Sequence, residues 1–95
     1  MQVEFSLLAK EELEDARAYY NLQQNRLGER FKEDIKNYID NIARFPMLYP
    51  KVTDRLHRVV VHKFSYSIFY MILENKIIIV SIAHQHREPF YKYKN

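Results

Sequence analysis

Residues 66–84 read YSIFYMILENKIIIVSIAH, two apolar runs separated by Glu74 and Asn75. Both runs are rich in the β-branched and aromatic residues that strands favour, which predicts strands over residues 66–73 and 76–84. Glu74 and Asn75 predict a tight hairpin turn, since Asn tolerates the left-handed conformation that such turns require. Ile77 to Val80 are apolar at successive positions, so the second strand is expected to be buried on both faces and central in its sheet.

The residues before this hairpin predict one more strand next to it and, earlier, a short strand and two helices. Leu56 to His62 is a third β-rich run, preceded by an extended loop over Pro46 to Pro50. Val3 to Ser6 predicts a first strand, with Ser6 as the N-cap of a helix. Apolar residues then recur at helical spacing in two stretches: Ala9, Leu13, Ala16 and Tyr20, then Leu27, Phe31, Ile35, Tyr38, Ile42 and Phe45.

This order of elements predicts an α+β fold in a single domain of residues 1–95. The N-terminal strand is followed by an antiparallel helical hairpin that packs on one face of a mainly antiparallel four-stranded sheet. The other face of the sheet is then either solvated or functional.

The composition excludes several kinds of site. The chain has no cysteine, which removes disulfides, thiolate metal sites and cysteine nucleophiles. Gly28 is the only glycine, so glycine-rich phosphate loops are excluded as well. The apolar stretches are far shorter than the roughly 20 residues that span a bilayer, and the first residues do not resemble a signal peptide. We therefore expect a cytoplasmic protein without membrane contact.

The formal net charge of +3 is unevenly distributed along the chain. Residues 1–40 carry 6 basic and 9 acidic side chains, a net charge of −3, whereas residues 41–95 carry 9 basic and 3 acidic side chains, a net charge of +6. All four histidines also lie in the second part. This asymmetry favours contact between the basic half and an anion or acidic partner. The alternative is that a short chain divides unevenly by chance.

Several residues and motifs recur in a recognisable order along nearly the whole chain. They are Ala9 with Leu13, Tyr19-Tyr20, Phe31 and Ile42, the loop Pro46-Met47-Leu48-Tyr49-Pro50, Arg58, the stretch Phe64 to Tyr70, and the ending Ala83 to Pro89. Together they resemble the RelE/ParE superfamily of toxins from bacterial type II toxin–antitoxin systems, which includes plasmid stabilisation proteins. The resemblance implies growth inhibition as the function. It also implies a cognate antitoxin as partner, whose flexible segment wraps the toxin in a hetero-oligomer.

The resemblance implies one of two mechanisms. RelE-like members cut messenger RNA in the ribosomal decoding site, whereas ParE-like members poison DNA gyrase and need no catalytic residue of their own. Ser67 stands where RelE-like enzymes are expected to carry arginine, and His84 to Pro89 looks more like the His-x-x-Arg-acidic-Pro pattern of ParE-like members. We therefore expect ParE-like action. A RelE-like endonuclease, or a non-toxic member that only binds its antitoxin, is the alternative.

The candidate site residues all lie in the basic half. If the protein is a ribonuclease, it needs a general base, a general acid and cations for the phosphate, and the catalytic candidates are His84, His86, Arg87 and Arg58. The candidates for target binding are Arg58, His62, His84, His86, Arg87 and Tyr91. Alternation along strands predicts that the arginines and histidines form one shallow basic surface, and Tyr91 can stack on a base.

These residues also have structural interpretations. Arg58 can pair with Glu74 or Glu88 across the sheet, and His84 can bond locally within the fold. His84 and His86 have no third ligand nearby in the sequence, so neither a metal nor a cofactor is expected.

Overall fold

The computed structural model of the chain describes residues 1–85 and contains two helices and four strands. The elements are β1 (Gln2–Phe5), α1 (Leu7–Gln23), α2 (Leu27–Arg44), β2 (His57–Val61), β3 (Tyr66–Leu73) and β4 (Lys76–His84). The strands lie in the order β1-β4-β3-β2; β1 pairs with β4 in parallel, and the other two pairs are antiparallel. The predicted α+β fold is confirmed, with β4 inside the sheet as expected.

Helix α1 begins at Leu7, and Ser6 is its N-cap, as predicted. The Ser6 hydroxyl accepts a hydrogen bond from the Ala9 backbone N–H at 3.0 Å, which satisfies one of the free donors of the first turn. Helix α2 follows after a short connection in which Arg26 adopts a left-handed conformation with φ 66°. The two helices approach closely at Gly28, which is buried.

The main core lies between the helices and one face of the sheet. Its buried members include Ala9, Ala16, Phe31, Ile35, Ile42, Val59, Val61, Ile68, Tyr70, Ile77, Ile79 and Ile82. Tyr20, Phe31, Phe64 and Tyr66 form an aromatic cluster within it, with ring centroids 5.0 to 6.2 Å apart. Such edge-to-face contacts stabilise the packing of α1 and α2 against β3. Tyr66 and Tyr70 are thus packing residues.

The loop before β2 is anchored to the core by polar contacts. The Tyr70 hydroxyl donates to the Pro46 carbonyl oxygen at 2.6 Å, and burial raises the pKa of Tyr70 to about 12. The buried His57 ring stacks on Tyr70 with 4.7 Å between ring centroids, and its Nδ1 lies 2.8 Å from the Tyr49 carbonyl oxygen. His57 is therefore structural.

The turn between β3 and β4 has the predicted conformation. Glu74 and Asn75 both have positive φ values, 51° and 65°. Two consecutive residues in this region are typical of type I′ hairpin turns, whose twist matches that of the flanking strands.

Strand β4 contains a β-bulge that changes the face on which its last residues lie. The pairing with β3 shifts by one residue and leaves Val80 as an extra residue in β4. Ile79 before the bulge and Ile82 after it both belong to the main core, although they are an odd number of positions apart. His84, two residues beyond Ile82, consequently lies on the face that the helices cover.

The opposite face of the sheet carries a smaller apolar cluster. Leu56, Phe69 and Ala83 are buried there, with Val52 and Val80 packed against them. Within residues 1–85, neither helix has the length and apolar character that a membrane span requires.

Candidate target-binding surface

Arg58 lies on the face of the sheet that the helices do not cover. It is half-buried between two inward-facing residues of β2, and its Nε donates to the Ser67 hydroxyl at 3.1 Å. Ser67 is only 2% exposed, so this hydrogen bond is shielded from water. Arg58 makes no ion pair with any residue between 1 and 85, and the suggested pairing with Glu74 is not found. Among residues 1–85, the rest of its guanidinium fork therefore has no carboxylate partner, and Glu88, the other suggested partner, lies outside the described residues.

His62 and Lys63 extend the positive charge beyond the end of β2. Both side chains are exposed, and the Lys63 ammonium lies 6.0 Å from the centroid of the Phe64 ring. Lys51, which forms an isolated β-bridge with His57, adds a cation at the other end of this strand. Since β2 is an edge strand, these charges follow one border of the sheet.

His84 lies on the other side of the sheet from Arg58. Its ring contacts the ring of its cross-strand partner Tyr66, with 5.2 Å between centroids and an interplanar angle of 81°. Tyr66 belongs to the core beneath the helices, whereas its neighbour Ser67 holds Arg58 on the opposite face. The expected single surface of Arg58 and His84 is therefore not formed, because the bulge in β4 reverses the alternation before His84.

Three of the predicted site residues, His86, Arg87 and Tyr91, lie outside the described residues. Their suggested roles stay predictions. Among the residues that are described, no group of three or more His, Asp or Glu side chains is placed to share a metal ion.

Comparison with protein families identifies the chain. Its sequence matches the family model of the ParE toxin of the type II toxin–antitoxin system parDE over residues 3–89. The chain belongs to the ParE toxin family. No curated protein sequence is significantly similar to it.

Solved structures share the fold of this ParE-family chain. The chromosomal ParDE system from P. aeruginosa matches with a TM-score of 0.66 and 11% identity, covering 88% of this chain and 95% of that one. The intact E. coli RelBE toxin–antitoxin complex matches with a TM-score of 0.68 and 13% identity, covering 90% and 98%. The isolated E. coli RelE toxin has a TM-score of 0.68 and 14% identity, covering 96% and 90%. The RelE/ParE fold predicted from the sequence is thereby confirmed.

The contacts of two residues, Ser67 and Glu12, were not predicted from the sequence of this family member. Ser67 attracted notice only as a departure from the RelE-like arginine, and its contact with Arg58 depends on the β2–β3 register. Glu12 accepts hydrogen bonds from the Ser81 hydroxyl and the Ile82 backbone N–H, both at 2.8 Å. Because Glu12 and Ile82 are 70 residues apart, no local pattern indicates this contact.

Proposed function

We propose that this ParE-family chain inhibits growth by binding DNA gyrase, with Arg58 as a central contact, and that a cognate antitoxin neutralises it. Gyrase is the target that the resemblance to ParE-like members implies, and the match to the ParE family model supports the same choice. The observation that carries the proposal is the half-buried Arg58, which has no ionic partner among residues 1–85.

The environment of Arg58 suits contact with a carboxylate or phosphate of the target. A guanidinium presents a planar fork of donors that binds such groups through two parallel hydrogen bonds. The bond from Nε to Ser67 holds this fork in place before the target arrives. A preorganised side chain loses less conformational entropy on binding, which increases affinity.

The positions of Arg58 and His84 support binding rather than RNA cleavage. General acid–base catalysis requires that the proton-transferring group and the cation reach the same phosphate. His84 packs on Tyr66 beneath the helices, and Arg58 lies on the opposite face. Gyrase inhibition of the ParE type requires no catalytic group in the toxin, so this arrangement is compatible with it.

An antitoxin partner is supported by the relatives. The RelBE match is a toxin–antitoxin complex, and the ParDE match is named as a toxin–antitoxin system. Co-expression with the neighbouring gene's product is expected to restore growth and to yield a complex that survives size-exclusion chromatography.

The gyrase proposal is tested by DNA supercoiling and cleavage-complex assays with purified protein. Wild-type protein is expected to inhibit gyrase, and the Arg58→Ala variant to require at least about tenfold more protein, as expected for the loss of a charged hydrogen-bond donor. Arg55→Ala is the matched control, because it removes the same charge from an exposed loop position. Its potency should stay close to that of wild type.

Other outcomes would contradict the proposal. Unchanged gyrase activity at high toxin excess would count against gyrase as the target. New messenger RNA ends in translating extracts, lost when His84 and His86 are both replaced by Ala, would support the RelE-like alternative. Undiminished growth on induced expression without antitoxin would indicate a module that only binds its antitoxin.

A further inference from the structure

Strand β4 continues beyond the end of its parallel neighbour β1. Residues Gln2 to Phe5 of β1 pair with β4, and the last residue of β4 that pairs with β1 is Ile79. From Val80 to His84, one side of β4 therefore lacks a neighbouring strand. Backbone polar groups on that side need other partners, because a buried N–H or C=O without a hydrogen bond is costly.

Residues of helix α1 and its N-cap supply these partners. The Ser6 backbone N–H donates to the Ile79 carbonyl at 2.9 Å, and its hydroxyl donates to the Val80 carbonyl at 2.7 Å. Further along, Glu12 Oε1 accepts from the Ser81 hydroxyl and the Ile82 N–H. Ser6 and Glu12 thus take the place of β1 along the bulged part of β4.

The two hydrogen bonds that Glu12 accepts are stronger than ordinary hydrogen bonds between neutral groups. Ser81 and Ile82 are each only 1% exposed, so both donors are removed from water. Hydrogen bonds to a carboxylate are roughly twice as strong as those between neutral groups. Without this acceptor, the Ile82 N–H would be buried and unpaired in the observed register.

A regular β4 without the bulge is the competing arrangement. A shift of one residue in a strand moves every following side chain to the other face. Continuous alternation from Ile79 would turn Ile82 outward and bring His84 to the face that carries Arg58. The observed register buries Ile82 in the main core but leaves its N–H dependent on Glu12.

We propose that Glu12 is a positioning residue that stabilises the bulged register of β4 and thereby fixes His84 against Tyr66, away from Arg58. This assignment concerns the placement of His84 and holds whether or not gyrase is the target. It also gives α1 a role in deciding which charged groups share the exposed face of the sheet.

The test compares Glu12→Leu with Glu12→Gln by NMR, following the ring protons of His84. In wild-type protein we expect the ring current of Tyr66 to displace these protons from their random-coil positions, since the two ring centroids lie 5.2 Å apart. In Glu12→Leu, which has no acceptor, we expect this displacement to be lost, whereas Glu12→Gln keeps an acceptor oxygen and should retain most of it. Glu11→Leu, an exposed change one residue away, should retain it fully.

A second measurement does not depend on the folding of the leucine variant. Glu12→Asp keeps the charge but is one methylene shorter, so its carboxylate is withdrawn from β4. Hydrogen exchange of the Ile82 amide is expected to be at least about tenfold faster in Glu12→Asp than in wild type. Equal exchange rates, or an unchanged His84 displacement in folded Glu12→Leu, would overturn the proposal. Neither measurement involves gyrase, so failure of the gyrase assay leaves this inference intact.

Discussion

At the scale of single residues, Gly28 shows how the absence of a side chain allows two helices to approach closely. An added Cβ would lie 2.1 Å from the Arg17 carbonyl oxygen and 2.8 Å from the Asn21 side chain. The Gly28 backbone N–H also donates to Asn21 Oδ1 at 2.7 Å. The glycine is therefore required for close helix contact and not for an unusual backbone conformation, since its backbone φ is not positive.

Substitution of Gly28 by Ala is expected to destabilise the protein by about 2 kcal/mol. The added methyl group forces α1 and α2 apart, and this overpacking outweighs the roughly 1 kcal/mol gain in helix propensity. Urea unfolding measures the change. Asn37→Ala, at an exposed position of α2, is the matched control and should leave stability nearly unchanged or slightly raised. A Gly28→Ala variant as stable as wild type would contradict this account.

At the residue scale, the sequence predicts those contacts whose cause is local. The Ser6 cap follows from the type of residue before a helical pattern, and its bond to Ala9 spans only three positions. The contacts of Ser67 with Arg58 and of Glu12 with Ile82 join different elements. They depend on strand register and helix placement, which a single sequence does not determine.

At the scale of elements, an ion-pair network joins α1 to α2. Arg17 contacts Glu14 at 2.9 Å and Glu29 at 3.1 Å, and Lys32 contacts Glu14 at 3.4 Å. The hydrogen bond from Arg17 lowers the pKa of Glu14. Hydrogen bonds from Asn21 and then Arg17 lower the pKa of Glu29. The charged forms of both carboxyl groups are thus favoured in the folded state.

The stability of the hairpin should consequently depend on pH in the acidic range. Both folded pKa values lie below the ordinary value of 4.5, so the stabilisation is present above pH 4.5 and is lost as the pH falls through the folded values. The loss is small because the groups are exposed. Thermal unfolding against pH is expected to show a shallower acid decline in Arg17→Met than in wild type, with Arg30→Met as control. Identical slopes in wild type and Arg17→Met would exclude this role of Arg17.

The strands show what sequence patterns can and cannot predict about elements. The predicted bounds of β3 and β4 agree with the structure, because composition and the Glu74-Asn75 turn define them locally. Strand β2 spans His57–Val61, one residue shorter at each end than the predicted Leu56 to His62. Strand β1 spans Gln2–Phe5 instead of the predicted Val3 to Ser6, and it ends at Phe5 because Ser6 caps α1. The sequence does not predict the bulge, because Ile77 to Val80 are all apolar. They show no alternation of polar and apolar residues that a shift in register could interrupt.

At the scale of the whole molecule, the separation of charge matches the separation of helices and sheet. Residues 1–40, with a net charge of −3, comprise β1 and most of the helical hairpin. Residues 41–95, with a net charge of +6, begin near the end of α2. Lys51 and Lys63 lie at the two ends of the edge strand β2. The field of the molecule is therefore expected to orient the exposed sheet towards polyanions.

Two double variants test this polarity at equal net charge. Lys51→Glu with Lys63→Glu, and Lys32→Glu with Lys36→Glu, both change the formal net charge from +3 to −1. On a heparin column, the first variant is expected to elute at clearly lower salt than the second, because only the first alters the sheet border. Equal elution would show that total charge, not its position, governs polyanion binding.

The parallel pairing of β1 with β4 has a consequence for folding during synthesis on the ribosome. The first strand of the chain finds its partner only in the last described strand, and Ser6 and Glu12 likewise bind residues 79–82. Contacts of such high sequence separation form late and slow folding. During synthesis, the helical hairpin leaves the ribosome with its apolar stripes uncovered, and the sheet closes only after translation has passed Ile82. A ribosome that stalls before this point releases no folded domain, so folding requires translation past Ile82.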